Sequence, residues 1–116
     1  MNRRLLASAT LVPLLLLGAV PAEAAPPTLK GTVDNNFKIT LTKGGKKVTT
    51  LKHGRYIIKV TDSTRMHNFR LRGKGFNKAT SVPGTGTVTW KVTLNKGKYN
   101  FRCDVHPGMK GGFKVT

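Results

Sequence analysis

Acidic side chains are nearly missing from this sequence, with 4 Asp plus Glu against 21 Lys plus Arg in 116 residues. The single cysteine, Cys103, excludes an internal disulfide, so a small chain must close its core by other means. No stretch of helical length keeps a 3.6-residue apolar period without glycine or β-branched interruption, which argues against a helical fold. There is no internal repeat and no low-complexity tail. The one long apolar run, Leu5 to Val20, follows Arg3 and Arg4 and ends in Pro21-Ala22-Glu23-Ala24-Ala25. With Pro13 inside it and a small-residue Ala22-x-Ala24 site at its end, it reads as an export signal cleaved before Ala25 rather than as a membrane anchor. Residues 1–24 are therefore expected to be a signal peptide and residues 25–116 a single mature domain. That domain keeps 19 basic and 3 acidic side chains (Asp34, Asp62, Asp104), a formal charge of +16.

What the mature chain does have is alternation. Phe37, Ile39 and Leu41 alternate with Lys38, Thr40 and Thr42, and Tyr56, Ile58 and Val60 alternate with Arg55, Ile57 and Lys59. Val88, Trp90, Val92 and Leu94 repeat the pattern, as do Tyr99, Phe101 and Cys103, and then Phe113 and Val115. Period two marks half-buried strands, and it points Cys103 inward. Gly44-Gly45, His53-Gly54 and Asn95-Lys96-Gly97 mark turns, and the lapse of pattern from Gly73 to Gly86 reads as a long crossover near Phe76. Seven or eight short strands in a chain of this length predict an all-β, single-domain antiparallel β-sandwich.

The chemistry-bearing residues gather where the penultimate strand ends, in Cys103-Asp104-Val105-His106-Pro107-Gly108-Met109, with Met66-His67-Asn68-Phe69 upstream. One thiolate, two imidazoles and one thioether form a soft donor set, and a trigonal Cys-His-His group with a weak axial Met suits copper in both oxidation states. A bound thiolate is also protected from the oxidation that an exported free thiol invites. Cys103 alone would be read as a buried apolar thiol, and His67 alone as a surface or core histidine; their combination with His106 and Met109 favours a metal. His53 precedes a turn glycine without any partner motif and is expected to be exposed and outside the site. Met66 faces away from His67 by alternation and is expected to pack rather than ligate, and Trp90, Tyr99 and Phe101 are expected in the core.

From Gly54 onward the chain resembles the cupredoxins, the blue copper proteins of plastocyanin and amicyanin type. The likeness rests on His67-Asn68-Phe69, on the Tyr99-x-Phe101-x-Cys103 strand and on the Cys103-x2-His106-x2-Met109 loop, whose spacing is the short one of amicyanin. It implies a Greek-key β-sandwich with one type 1 copper per chain near one end, held by His67, Cys103, His106 and a longer axial contact to Met109. It further implies that Asn68 ties the two ligand-bearing segments together. Asp104 departs from the pattern, since the best-known members often carry Ser or Thr after the cysteine.

The function implied is one-electron transfer between redox partners, with the electron leaving through His106, and copper trafficking or sequestration is the alternative. An enzyme is not expected, because a Cys-His hydrolase gives Met109 no role and a further copper centre would need more histidines than His53. The charge fits an acidic redox partner, such as a c-type cytochrome or an electron-accepting oxidoreductase, steered by Lys74 and Lys110, or an anionic membrane or envelope surface. Nucleic acid is not an expected partner, as no stacking platform or binding motif is present. The expected protein is a monomer, exported to a periplasm or to the exterior.

Overall fold

The structure, a computed structural model, describes residues 24–116, so the export signal lies almost wholly outside the described residues. The alternating segments form ten strands: β1 (Thr28–Val33), β2 (Ile39–Lys43), β3 (Lys46–Lys47), β4 (Thr50–Leu51), β5 (Gly54–Asp62), β6 (Arg70–Gly73), β7 (Phe76–Ala79), β8 (Gly86–Leu94), β9 (Gly97–Arg102) and β10 (Lys110–Val115). They lie in two five-stranded sheets, ordered β3-β2-β1-β5-β8 and β4-β10-β9-β6-β7. No helix occurs among the described residues. The count exceeds the expected seven or eight because β3 and β4 are two-residue strands too short to show periodicity.

Three expectations are corrected by this architecture. The sandwich is mixed rather than purely antiparallel, since β1 runs parallel to β5 and β4 parallel to β10. The Gly73–Gly86 stretch is not all crossover: β7 folds back on β6 as a hairpin before the chain changes sheets. Phe37 is not a strand residue but an exposed loop residue at φ 60°, and β2 begins at Ile39. On β8 only Val92 and Leu94 are buried, while Val88 is exposed. That strand is the sheet's edge, and its first half is exposed although Val60, opposite Val88 on β5, is buried.

The inward faces meet in one core. Leu29, Leu41, Ile58, Val60 and Leu94 of the first sheet face Leu71, Phe101, Phe113 and Val115 of the second, with Phe69 between them. Phe69 stacks on Phe101 at 5.4 Å between ring centroids, and Tyr99 stacks on Phe113 at 5.2 Å. Aromatic stacking in offset geometry adds about 1 kcal/mol to simple burial.

Two turns share one construction. In Lys52-His53-Gly54-Arg55-Tyr56 the Tyr56 hydroxyl donates to the Lys52 carbonyl at 2.6 Å. In Asn95-Lys96-Gly97-Lys98-Tyr99 the Tyr99 hydroxyl donates to the Asn95 carbonyl at 2.9 Å. Each turn passes through a glycine at φ near +150° (Gly54 149°, Gly97 147°), a conformation disfavoured for any other residue. Burial raises the Tyr56 phenol above its usual range, so it stays a donor at all physiological pH. Tyr56→Phe and Tyr99→Phe are each expected to lower unfolding stability by about 1 kcal/mol in urea titration, from the loss of one hydrogen bond and an unpaired carbonyl. A loss below a few tenths for both would show that these bonds do not hold the turns.

The strands give the sandwich two ends. β5 runs from Gly54 to Asp62, a span of roughly 27 Å for nine extended residues. The Asp62 end also carries the loop after β1, the segment from Asp62 to Arg70 and the loop from Arg102 to Lys110, and these build the candidate site.

Candidate metal centre

Cys103 leaves β9 fully buried, and its backbone N–H donates to the Met109 carbonyl at 3.0 Å. The Met109 N–H in turn donates to the His106 carbonyl at 2.9 Å, closing a tight loop through Pro107 and Gly108. Two backbone bonds thus hold the residues at both ends of the Cys-x2-His-x2-Met segment in register with β9 and β10. His67 arrives from the segment between β5 and β6. The Thr64 hydroxyl oxygen accepts from the backbone N–H groups of Met66 and His67, both at 3.1 Å, and the Asp62 carboxylate accepts from the Thr64 N–H at 2.8 Å. This relay of side-chain caps turns the chain so that the His67 ring enters the interior.

The three ring and sulfur atoms converge. Cys103 Sγ lies 3.8 Å from His67 Nδ1 and 3.7 Å from His106 Nδ1, and the two Nδ1 atoms are 2.9 Å apart. The point equidistant from those three atoms is roughly 2.0 Å from each, against about 2.0–2.3 Å for a first-row metal bound by imidazole nitrogen and thiolate sulfur. His67, Cys103 and His106 therefore form a group that fits a metal ion without rearrangement, and all their ligand atoms lie within 4.8 Å of one another. Met109 is buried beside them and lines a surface cleft with Phe37, Val105, His106, Pro107 and Gly108.

Asn68 bridges the neighbouring segments. Its Oδ1 accepts from the Asp104 N–H at 2.8 Å, and its Nδ2 donates to Asp104 Oδ2 at 2.9 Å and to the Thr80 carbonyl at 3.0 Å. One buried amide therefore joins the His67 segment, the crossover after β7 and the residue after Cys103.

Sequence reasoning missed four contributors. Asp104, noted only as a departure, forms a bidentate pair with Arg70, whose Nε lies 2.6 Å from Oδ1 and whose terminal nitrogen lies 2.8 Å from Oδ2. The Arg70 hydrogen bonds hold the Asp104 carboxyl down at about 2, with Asn68 assisting against the cost of burial. Thr64 and Asp62 position His67, although an Asp-x-Thr ahead of a candidate ligand is a legible Asx-type cap. Phe37 stands edge-on to both imidazoles, at 4.8 Å from the His67 ring and 5.3 Å from the His106 ring. Because His67 Nε2 is buried without a hydrogen-bond partner, packing against Phe37 rather than an outer hydrogen bond sets that ring's orientation.

Placement of the remaining residues is plain. His53 is exposed at the opposite end of the sandwich, bonded to the Thr116 carbonyl. Met66 is exposed, rather than packed as expected, because the 64–68 turn leaves it outside. Lys110 starts β10 beside the site, but Lys74 lies by Gly97 at the far end, so its expected part in steering a partner to the site does not hold.

Asp62 gives a prediction of its own. Burial raises its carboxyl above the ordinary carboxylate value, opposed by the hydrogen bonds from Thr64, and its Oδ2 has no partner. A carboxyl raised on folding favours the native state below its unfolded pKa, and that benefit is lost as pH rises through the folded value. Asp62→Asn carries no such dependence. Its melting temperature relative to the parent should thus be highest near neutral pH and fall as pH drops toward about 4. A difference constant with pH would rule out a charged, strained Asp62.

No family model matches the sequence, and no curated protein matches it. Solved structures do resemble it. Reduced rusticyanin superposes with a TM-score of 0.55 at 17% identity, covering 80% of this chain and 82% of that one. Auracyanin A, a blue copper protein from the green thermophilic photosynthetic bacterium Chloroflexus aurantiacus, gives 0.50 at 17% identity over 79% of this chain and all of its own. Auracyanin from Roseiflexus castenholzii gives 0.50 at 22% identity over 80% and 99%. The chain thus adopts the cupredoxin fold, a β-sandwich with the His67, Cys103 and His106 group at one end.

Proposed function

We propose that the protein is an exported one-electron carrier in which His67, Cys103 and His106, with Met109, would hold one copper ion. The observation that carries this reading is the convergence of one sulfur and two imidazole nitrogens on a single point at bonding distance, on a fold shared with rusticyanin and the auracyanins. Copper in such a donor set supplies a Cu(II)/Cu(I) couple with little geometric change between states. The chain's own residues supply rigidity and access. Cys103 and Met109 are fixed by backbone bonds to one another's loop, His67 by the Thr64 cap, and Asn68 with Asp104 locks the two segments. Holding the ligands still lowers the reorganisation that each electron transfer requires.

Access is through His106, the only one of the three clustered residues that is partly exposed. Around it stand Phe37, Val105, Pro107 and Gly108, an apolar rim against which a partner protein can exclude water. Lys110 and Lys38 near this rim steer an acidic partner such as a c-type cytochrome or an electron-accepting oxidoreductase. Full burial of Cys103 and His67 favours retention of the metal over hand-over, hence a carrier working as a monomer over a trafficking protein. No enzymatic role is assigned, since the one cysteine thiol already faces two imidazoles.

The test is Cu(II) titration of the purified mature domain followed by visible absorption and electron paramagnetic resonance. An intense sulfur-to-copper charge-transfer band with narrow hyperfine splitting at one copper per chain, absent in Cys103→Ala, is expected. A colourless protein, or equal copper binding by the variant, would overturn the reading.

A further inference from the structure

The three acidic side chains of the described residues, Asp34, Asp62 and Asp104, all lie at the metal end, at the close of β1, the close of β5 and beside Cys103. The opposite end has no acidic side chain among the described residues. There, Lys43 and Lys46 face each other directly across the β2–β3 hairpin, and Lys98 faces Lys114 across β9 and β10. Like charges directly opposite on neighbouring strands are destabilising. At the metal end the comparable basic row, Arg70 and Arg102 on β6 and β9, is balanced by Asp104, which pairs with Arg70 and is held ionised with help from Arg102. At the far end no acidic side chain of the described residues balances it.

These lysines also surround a concavity. A cleft of about 560 Å³ is lined by Lys43, Lys46, Lys47 and Lys52, with the Thr49 and Thr50 segment and the Tyr56 and Pro27 rings completing it. All four lysines are exposed. Lys114 pairs in register with Thr50, so Lys98 and Lys114 extend the same basic surface onto the second sheet. Every large exposed apolar side chain, Phe37, Met66, Val88 and Val105, lies in the metal-end half instead.

We infer that this end is a binding site for a linear polyanion with repeating phosphate groups, which seats in the lysine-lined cleft and leaves the metal end facing outward. Separate ammonium groups around an open cleft suit successive phosphates along a strand, each neutralised by a point charge. A bilayer is the poorer match, because this end offers a concave surface and, among the described residues, none of the large exposed apolar side chains that could insert among lipid chains. Occupancy would relieve the Lys43–Lys46 and Lys98–Lys114 repulsions, which is the compensating gain their retention calls for. The arrangement is independent of the metal and separates anchoring from electron exchange by the roughly 27 Å length of β5.

The probe is inorganic polyphosphate of defined chain length, titrated against the mature protein at several salt concentrations. In Lys43→Gln/Lys46→Gln/Lys47→Gln/Lys52→Gln, affinity at low salt should fall roughly tenfold or more, and the slope of log affinity against log salt should flatten by about 3. Lys30→Gln/Lys38→Gln/Lys59→Gln/Lys78→Gln removes the same charge elsewhere and should lose distinctly less. The cleft variant should melt no lower than the parent, since opposed charges have been removed. Cys103→Ala should bind polyphosphate as the parent does, so a failure of the copper reading would leave this result untouched. Equal losses in the two quadruple variants would reduce the effect to net charge and overturn the proposal. So would tighter, equally cleft-dependent binding to phosphatidylglycerol vesicles, which would assign the surface to a membrane.

Discussion

Replacement of Asn68 by alanine is expected to lower unfolding stability by about 3 kcal/mol and to loosen the metal site. Asn68 is buried, and its three hydrogen bonds end on the Asp104 N–H, the Asp104 carboxylate and the Thr80 carbonyl. Alanine leaves two partly buried backbone groups without their Asn68 partner, each worth about 1–3 kcal/mol when unsatisfied. Arg70 still holds the Asp104 carboxylate, so the damage concentrates on the peptide N–H immediately after Cys103. Amide hydrogen exchange at Asp104 should accelerate toward that of an exposed loop, and copper bound to the variant should show a broadened resonance signal. Were the Asp104 amide as protected as in the parent, with stability within about 0.5 kcal/mol, the tie would be dispensable.

How much of this was legible beforehand depends on the range of the interaction. Strands β5 and β9 follow from alternation because each is central or nearly so, with one face turned to the core, and Tyr56, Ile58, Val60, Tyr99 and Phe101 are buried as their period requires. The same rule misplaced Val88 and Phe37. Periodicity reports which side a residue takes, not how well it is covered there, and neither the edge position of β8 nor the positive φ of Phe37 is written in local pattern. The parallel pairing of β1 with β5 is a long-range choice that the sequence of either strand does not encode.

The site divides in the same way. The candidate ligands His67, Cys103, His106 and Met109 stand out in the sequence because metal chemistry restricts residue type, and the structure brings the first three together. Their supports were less visible, since Thr64, Arg70 and Thr80 are ordinary residues whose role exists only once three segments meet. Asp104 shows this directly. In the sequence it is an acid beside a thiolate ligand, an unfavourable neighbour for an anion. In the fold Arg70 and Asn68 consume its charge and its lone pairs, so it braces the loop instead.

The other large effect is expected from a single methyl group. A Cβ built on Gly111 would lie 2.2 Å from Phe101 Cζ and 2.6 Å from its Cε2, directly across the β9–β10 ladder. The ring cannot simply withdraw. It is stacked on Phe69, and Phe69 in turn sits against Gly31, where an added Cβ would be only 3.1 Å from that ring. Overpacking of a closed core costs about 1–3 kcal/mol and here belongs at the upper end, because two aromatic rings and the strand leading to Cys103 must move together. Gly111→Ala should thus lose about 3 kcal/mol, whereas Gly108→Ala, in the same ligand loop with open space around it, should stay within about 0.5 kcal/mol. In a Phe101→Leu background, which removes the ring that the methyl meets, the cost of Gly111→Ala should shrink by more than half, a coupling that a double-mutant cycle reads directly. An undiminished cost in that background would place the strain in the backbone of β10 rather than in the Phe101 contact.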